Sequence, residues 1–90
     1  MRYTLRQLEV FLAIAHQQNV SKAAQALNLS QSAASSALKE LEQQFDVQLF
    51  DRIGKRLQLN EQGRLIRPKA ESLLAQAADL EQTLLKHADA

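Results

Sequence analysis

Apolar residues recur at Leu5, Leu8, Phe11, Leu12 and Ala15, with Val10 and Ile14 widening the stripe. Three- and four-residue steps place them on one face of a helix, which predicts a first helix over residues 5 to about 17 with Thr4 as its N-cap. After the polar break Gln17-Gln18-Asn19, Ser21 is placed to cap a short second helix through Ala23, Ala24 and Leu27, with Val20 as a hydrophobic staple. Asn28 suits a left-handed turn, and Leu29 returns to the core. Ser30 then caps a third helix whose apolar residues Ala34, Leu38, Leu41 and Phe45 keep a 4-3-4 spacing. Opposite that stripe lie Ser32, Ser36, Lys39 and Gln43, with Gln31 at the exposed N-terminal end. This outward face has hydrogen-bonding groups but almost no bulk, so its backbone can approach another surface closely. With the partial positive charge of a helix N-terminus behind it, the partner it suits is an anionic groove. Two short helices joined by about three residues make a helix-turn-helix, whose third helix would be a DNA recognition helix. An ordinary αα-hairpin in a small bundle has the same spacing.

Past Phe45 the period changes. Val47 and Leu49, then Leu57 and Leu59, alternate with polar residues around Ile53-Gly54-Lys55-Arg56, which predicts a β-hairpin turning at Gly54-Lys55. A hairpin after a helix-turn-helix is a wing, and Arg52, Lys55 and Arg56 at its tip can reach phosphates or a minor groove. Asn60 is placed to cap a last, long helix to about residue 86. Its positions Ile66, Ala70, Leu73, Ala77, Leu80 and Leu84 keep a 4-3-4-3-4 spacing, the seam of a coiled coil. Pro68 predicts a kink or a later effective start. Such a helix outruns a core of about sixty residues, so its seam calls for a partner, most simply a second copy of the chain. The expected organisation is therefore mainly α: a winged helix-turn-helix over residues 1–60, of three helices and a two-stranded β-hairpin, followed by a dimerisation helix over residues 61–90.

Composition narrows the function. Ninety residues form one domain, too small for a separate catalytic unit with its own cleft, and the two glycines and one proline leave few turns. Cysteine is absent, which removes disulfides and thiolate metal sites and suits a reducing cytoplasm. No apolar run approaches the roughly 18 residues of a membrane span, and Gln7 and Glu9 break any secretory signal, so no membrane partner is expected. His16 and His87 stand near opposite ends without metal-ligating partners, so neither a metal, a cofactor nor an acid/base pair is suggested. The net charge of +1 is uninformative, but its distribution is not: Arg52, Lys55, Arg56, Arg64, Arg67 and Lys69 face only Glu61 between positions 52 and 69. The rival class is a protein-interaction module held by the long seam, which would lack the steep salt dependence of DNA binding.

Leu5-Arg6-Gln7-Leu8 with Phe11, Ser21-Lys22-Ala23-Ala24, Leu27-Asn28-Leu29-Ser30-Gln31, Ser35, Leu38, Leu41-Glu42, Leu49-Phe50-Asp51-Arg52 and Leu59-Asn60-Glu61-Gln62-Gly63 occur here in order. Together they resemble the N-terminal domain of LysR-type transcriptional regulators over nearly the whole chain. The resemblance implies a winged helix-turn-helix and a dimerising linker helix that bind interrupted palindromes in double-stranded promoter DNA. It places the residues equivalent to Gln31, Ser32, Ser35 and Ser36 in the major groove and Arg52 on the wing. It further implies a C-terminal effector domain for a small molecule, outside this sequence, and a tetrameric full-length protein. The chain departs from the usual pattern at Ser32, where proline is common, at Ala34, where valine is common, at Ser36, where a longer polar or basic side chain often stands, and at Asn60, which replaces a frequent threonine.

Overall fold

The computed structural model describes residues 1–88, so the last two positions of the expected linker helix lie outside the described residues. In chain order it contains α1 (Leu5–Gln17), α2 (Val20–Ala26), α3 (Gln31–Phe45), β1 (Phe50–Ile53), β2 (Arg56–Leu59) and α4 (Glu61–His87). The fold is mainly helical with a two-stranded antiparallel hairpin, as the periodicities predict.

α1 is the hub. The Thr4 hydroxyl accepts from the Gln7 N–H at 3.1 Å and the Gln7 side-chain oxygen accepts from the Thr4 N–H at 3.1 Å, a reciprocal capping box. Gln7 is nonetheless buried, and its amide nitrogen also donates to the Glu40 carboxylate of α3 at 3.3 Å. Val10, Phe11 and Ile14 are fully enclosed, with Ala23, Ala24, Ala34, Leu38 and Leu41 packed around them. The Phe11 and Phe50 rings meet at 5.6 Å, joining α1 to the base of the hairpin.

Several expected details differ. The cap of α2 is Asn19, whose side-chain oxygen accepts from the Lys22 N–H at 2.8 Å; Ser21 lies inside the helix, and Val20 is its first residue rather than a staple before it. The reason is Gln18, which turns left-handed at φ 59° and ends α1 in one step, so the next helix starts two residues earlier than the polar break suggests. Asn28, at φ 58°, is the left-handed turn residue expected. Ser30 caps α3 by accepting from the Ala33 N–H at 3.1 Å. Phe45 does not reach the core: it remains 45% exposed, its ring 6.4 Å from that of Tyr3 on the wall of an apolar groove.

The hairpin turns where predicted, with Gly54 at φ 62° and Phe50 paired to Leu59, but it is shorter than the alternation implied. Val47 and Leu49 stay outside it because their backbone groups are taken. At the end of α3 the Asp46 and Val47 N–H groups donate to the Gln43 and Glu42 carbonyls, a Schellman closure. The Leu49 N–H donates to the Glu42 carboxylate at 2.8 Å, and the Leu49 carbonyl accepts from the Asn60 N–H at 3.0 Å. Asn60 caps α4 by accepting from the Gly63 N–H at 2.8 Å, while its amide nitrogen donates to the Gln48 carbonyl at 2.8 Å.

α4 runs unbroken through Pro68, contrary to a later start. Pro68 and the residue four before it, Arg64, are both exposed, so the carbonyl that loses its intrahelical bond is at the solvent side. The helix is roughly 40 Å long by its residue count and gives the molecule its 53 Å axis. Its first turns pack on α1, with Gly63 and Ala70 buried and Ile66 and Leu74 against the core.

Two stability measurements check these contacts. A Cβ at position 63 would collide with the Leu49 carbonyl oxygen and stand 2.8 Å from Leu59, so Gly63→Ala is expected to lower unfolding free energy in urea by about 1–3 kcal/mol. Asn19→Ala is expected to cost about 1 kcal/mol and Ser21→Ala well under that; equal losses would return the cap to Ser21.

Candidate nucleic-acid interface

Burial of Ala34, Leu38 and Leu41 fixes the rotation of α3, and Gln31, Ser32, Ser35, Ser36 and Lys39 are left exposed. Ser32 keeps one local contact, hydroxyl to hydroxyl with Ser30 at 3.3 Å. Ser35, Ser36 and Lys39 make no side-chain hydrogen bond or ion pair among the described residues. The first two turns of this face carry no side chain longer than Gln31, so an approaching surface meets hydroxyls and helix backbone.

The hairpin stands beside the start of α3 because β2 is tied to the α1–α2 corner: the Leu57 N–H donates to the Gln18 carbonyl at 3.0 Å. Arg52, Lys55 and Arg56 are all exposed. The ion pair among the described residues is Arg6–Glu9 at 3.8 Å, so the wing cations are unneutralised there. Arg64, also in the basic segment, is held differently, its guanidinium donating to the Leu59 carbonyl at 2.9 Å.

A polar cleft of about 150 Å³ lies between these elements, lined by Asn19, Ser21, Gln31, Arg52 and Lys55 over an apolar floor of Val20 and Leu57. It brings Gln31 together with two of the three wing cations. Arg56, and Ser35, Ser36 and Lys39 further along α3, lie outside it. Asn19 and Ser21 were missed as members of this surface. No local signal marked them, because Asn19 caps α2, Ser21 lies inside that helix, and only the packing of the hairpin beside them makes both part of the cleft.

The six seam positions of α4 divide. Ala70, 1% exposed, is covered within the protomer, and Ile66 is half-buried against the same core. Ala77 is half-buried, while Leu73, Leu80 and Leu84 are exposed, the last two by 60% and 63%. Alongside the first half of α4 runs an apolar groove of about 460 Å³, walled by Tyr3, Phe45, Val47, Leu65 and Leu73. No described helix is long and apolar enough to cross a membrane.

The arrangement matches known proteins throughout. The family model described as "Bacterial regulatory helix-turn-helix protein, lysR family" covers residues 5–64. The "Uncharacterized HTH-type transcriptional regulator YeiE" of Escherichia coli K12 is 55% identical over 82 residues, 91% of this chain and 28% of that protein. A "Probable RuBisCO transcriptional regulator" of Nostoc is 44% identical over 73 residues, 81% of this chain and 22% of its own length. The chain thus spans under a third of these two relatives. Among solved structures, the BenM DNA-binding domain on its benA site 1 DNA superposes with a TM-score of 0.86 at 26% identity, covering 94% of this chain and 96% of that one. Vibrio fischeri DarR in complex with DNA superposes with a TM-score of 0.89 at 30% identity, covering 99% of this chain and 30% of that one. With its bare recognition helix, its basic wing and its long following helix, the chain belongs to the LysR family of bacterial regulatory helix-turn-helix proteins and carries that family's DNA-binding domain.

Proposed function

We propose that this domain binds double-stranded promoter DNA in the bacterial cytoplasm as a homodimer on an interrupted palindrome. α3 enters the major groove, and the wing touches the backbone or the adjoining minor groove. The observation that carries the reading is the pairing of an unobstructed α3 N-terminus with unneutralised Arg52 and Lys55 across one cleft. Gln31 can bond an adenine edge bidentately, and Ser32, Ser35 and Ser36 are short enough to serve a base or a phosphate. Lys39, two turns on, suits a phosphate, as do Arg52, Lys55 and Arg56. The related structures support the reading, since those of BenM and DarR are complexes with DNA. Residues 1–60 with the packed first turns of α4 form the DNA-binding unit, and the remainder of α4 is the linker. A small-molecule effector and tetramer assembly belong to a further domain of a longer regulator.

Three measurements test it. On a site selected from random DNA, Gln31→Ala is expected to cost about 1–3 kcal/mol and to relax preference at one position. Joint Arg52→Ala and Arg56→Ala should weaken binding to all sequences and make the log-affinity against log-salt slope shallower by about one unit per lost phosphate contact. An unchanged slope removes the wing from the interface. Burying a leucine contributes about 1.5–3 kcal/mol, so Leu73, Leu80 and Leu84 from two chains can offset the entropy of association. Leu80→Glu is therefore expected to give a monomer in sedimentation and to weaken palindrome binding far more than half-site binding.

A further inference from the structure

The carboxylates of α3, Glu40 and Glu42, form no ion pair among the described residues. Each is held instead by a neutral donor from outside the helix. Glu42 accepts from the Leu49 N–H at 2.8 Å, and Glu40 accepts from the Gln7 side-chain amide at 3.3 Å. The cations of the same surface, Lys39, Arg52, Lys55 and Arg56, are exposed and form no ion pair among the described residues either. The fold thus ties down the acids and leaves the bases free. Glu40 is itself exposed, and an exposed carboxylate is satisfied by water without help, so the bond to Gln7 matters for where it puts the charge. We infer that Gln7 is a positioning residue for DNA binding: it draws the Glu40 carboxylate towards α1 and keeps its negative charge off the face of α3 that meets the phosphates. The inference rests on the DNA-binding reading above and deepens it.

The tie is directional. The Gln7 side-chain oxygen is already taken by the Thr4 N–H at 3.1 Å, so its amide nitrogen is the end left for α3. Reversing the amide would set nitrogen against an N–H and oxygen against a carboxylate. Gln7 is 5% exposed in the first turn of α1, so it has little freedom to follow a moving partner. Glu40 stands four residues after Ser36, which puts it one turn along α3 and only about 40° round from that side chain. Side chains on a helix lean towards its N-terminus, so a Glu40 released from Gln7 falls over Ser36, beside the hydroxyls and backbone offered to DNA. Lys39 does not neutralise it there, because consecutive residues of a helix stand about 100° apart. Repulsion between that charge and a phosphate is far stronger in a partly dry interface than in bulk water.

The test is a binding titration of the ninety-residue chain against a short random-sequence duplex at low and raised salt, with urea unfolding to show that each variant is folded. Gln7→Met fills a similar volume without the donor and is expected to weaken binding about fivefold at low salt, the loss shrinking as salt screens the freed charge. Gln7→Glu keeps the acceptor for the Thr4 N–H but repels Glu40, and is expected to weaken binding at least as much. Glu40→Gln should change the wild-type affinity by less than about twofold, yet restore most of what Gln7→Met loses, although that pair still lacks the bond. A bond needed only for folding would give no such rescue. If the folded Gln7 variants bind as the wild type does, or if Glu40→Gln does not restore the loss, Gln7 has no such role and the DNA reading stands. A gain of about fivefold or more from Glu40→Gln alone, where α1 is unaltered, means that the charge was never held off and overturns the inference as well. A wild-type chain that binds no duplex at low salt overturns both.

Discussion

Leu49 is the point through which the elements of this domain are held in register. Its N–H is fixed by the Glu42 carboxylate at the end of α3, and its carbonyl takes the Asn60 N–H at the start of α4. The backbone of α4 passes so close that only a glycine fits at position 63. Because β1 begins one residue later and β2 ends one residue before Asn60, this junction also closes the open end of the hairpin. Buried carbonyls and N–H groups are costly to leave unpaired, and here each finds a partner from a different element. Recognition helix, wing and linker helix therefore meet at one hydrogen-bonded corner, and a shift in any one of them would strand a polar group.

Working outward from that corner, the DNA-facing surface depends on what is left off it. The core side of α3 is anchored by Ala34, Leu38 and Leu41, so the opposite side need contribute nothing to stability and can remain short hydroxyls with Gln31, Lys39 and Gln43. The wing is placed by the backbone bond from Leu57 to Gln18 and by Phe50 against Phe11, which leaves the side chains of Arg52, Lys55 and Arg56 without a structural task. Local geometry, not net charge, makes the surface suited to an anionic partner: the whole chain carries +1, while the cations gather on the hairpin and the first turns of α4.

α4 serves two purposes along its length. Its first half is a core helix, with Ala70 small enough to lie against α1 and Ile66 closing over it. Its second half has the same apolar rhythm with nothing under it. A continuous heptad pattern cannot tell these apart, because spacing records which residues share a face and not what that face meets.

That distinction runs through the whole molecule. The sequence by itself determined the four helices, the hairpin turn at Gly54-Lys55, the caps at Thr4, Ser30 and Asn60, and the exposed face of α3, since each follows from periodicity or from a capping side chain a few residues away. It also carried the motifs of the family. It did not determine the cap of α2, where two good capping residues stood two apart and the left-handed turn at Gln18 decided between them. Nor did it place Phe45 outside the core, or keep Val47 and Leu49 out of the strand, because those outcomes depend on where α3 ends relative to α1 and on which backbone groups distant residues had already claimed. The cleft joining Gln31 to Arg52 and Lys55 belongs with these. It is assembled from residues about twenty positions apart, and only the packing of α1 against both helices and hairpin brings them to one place.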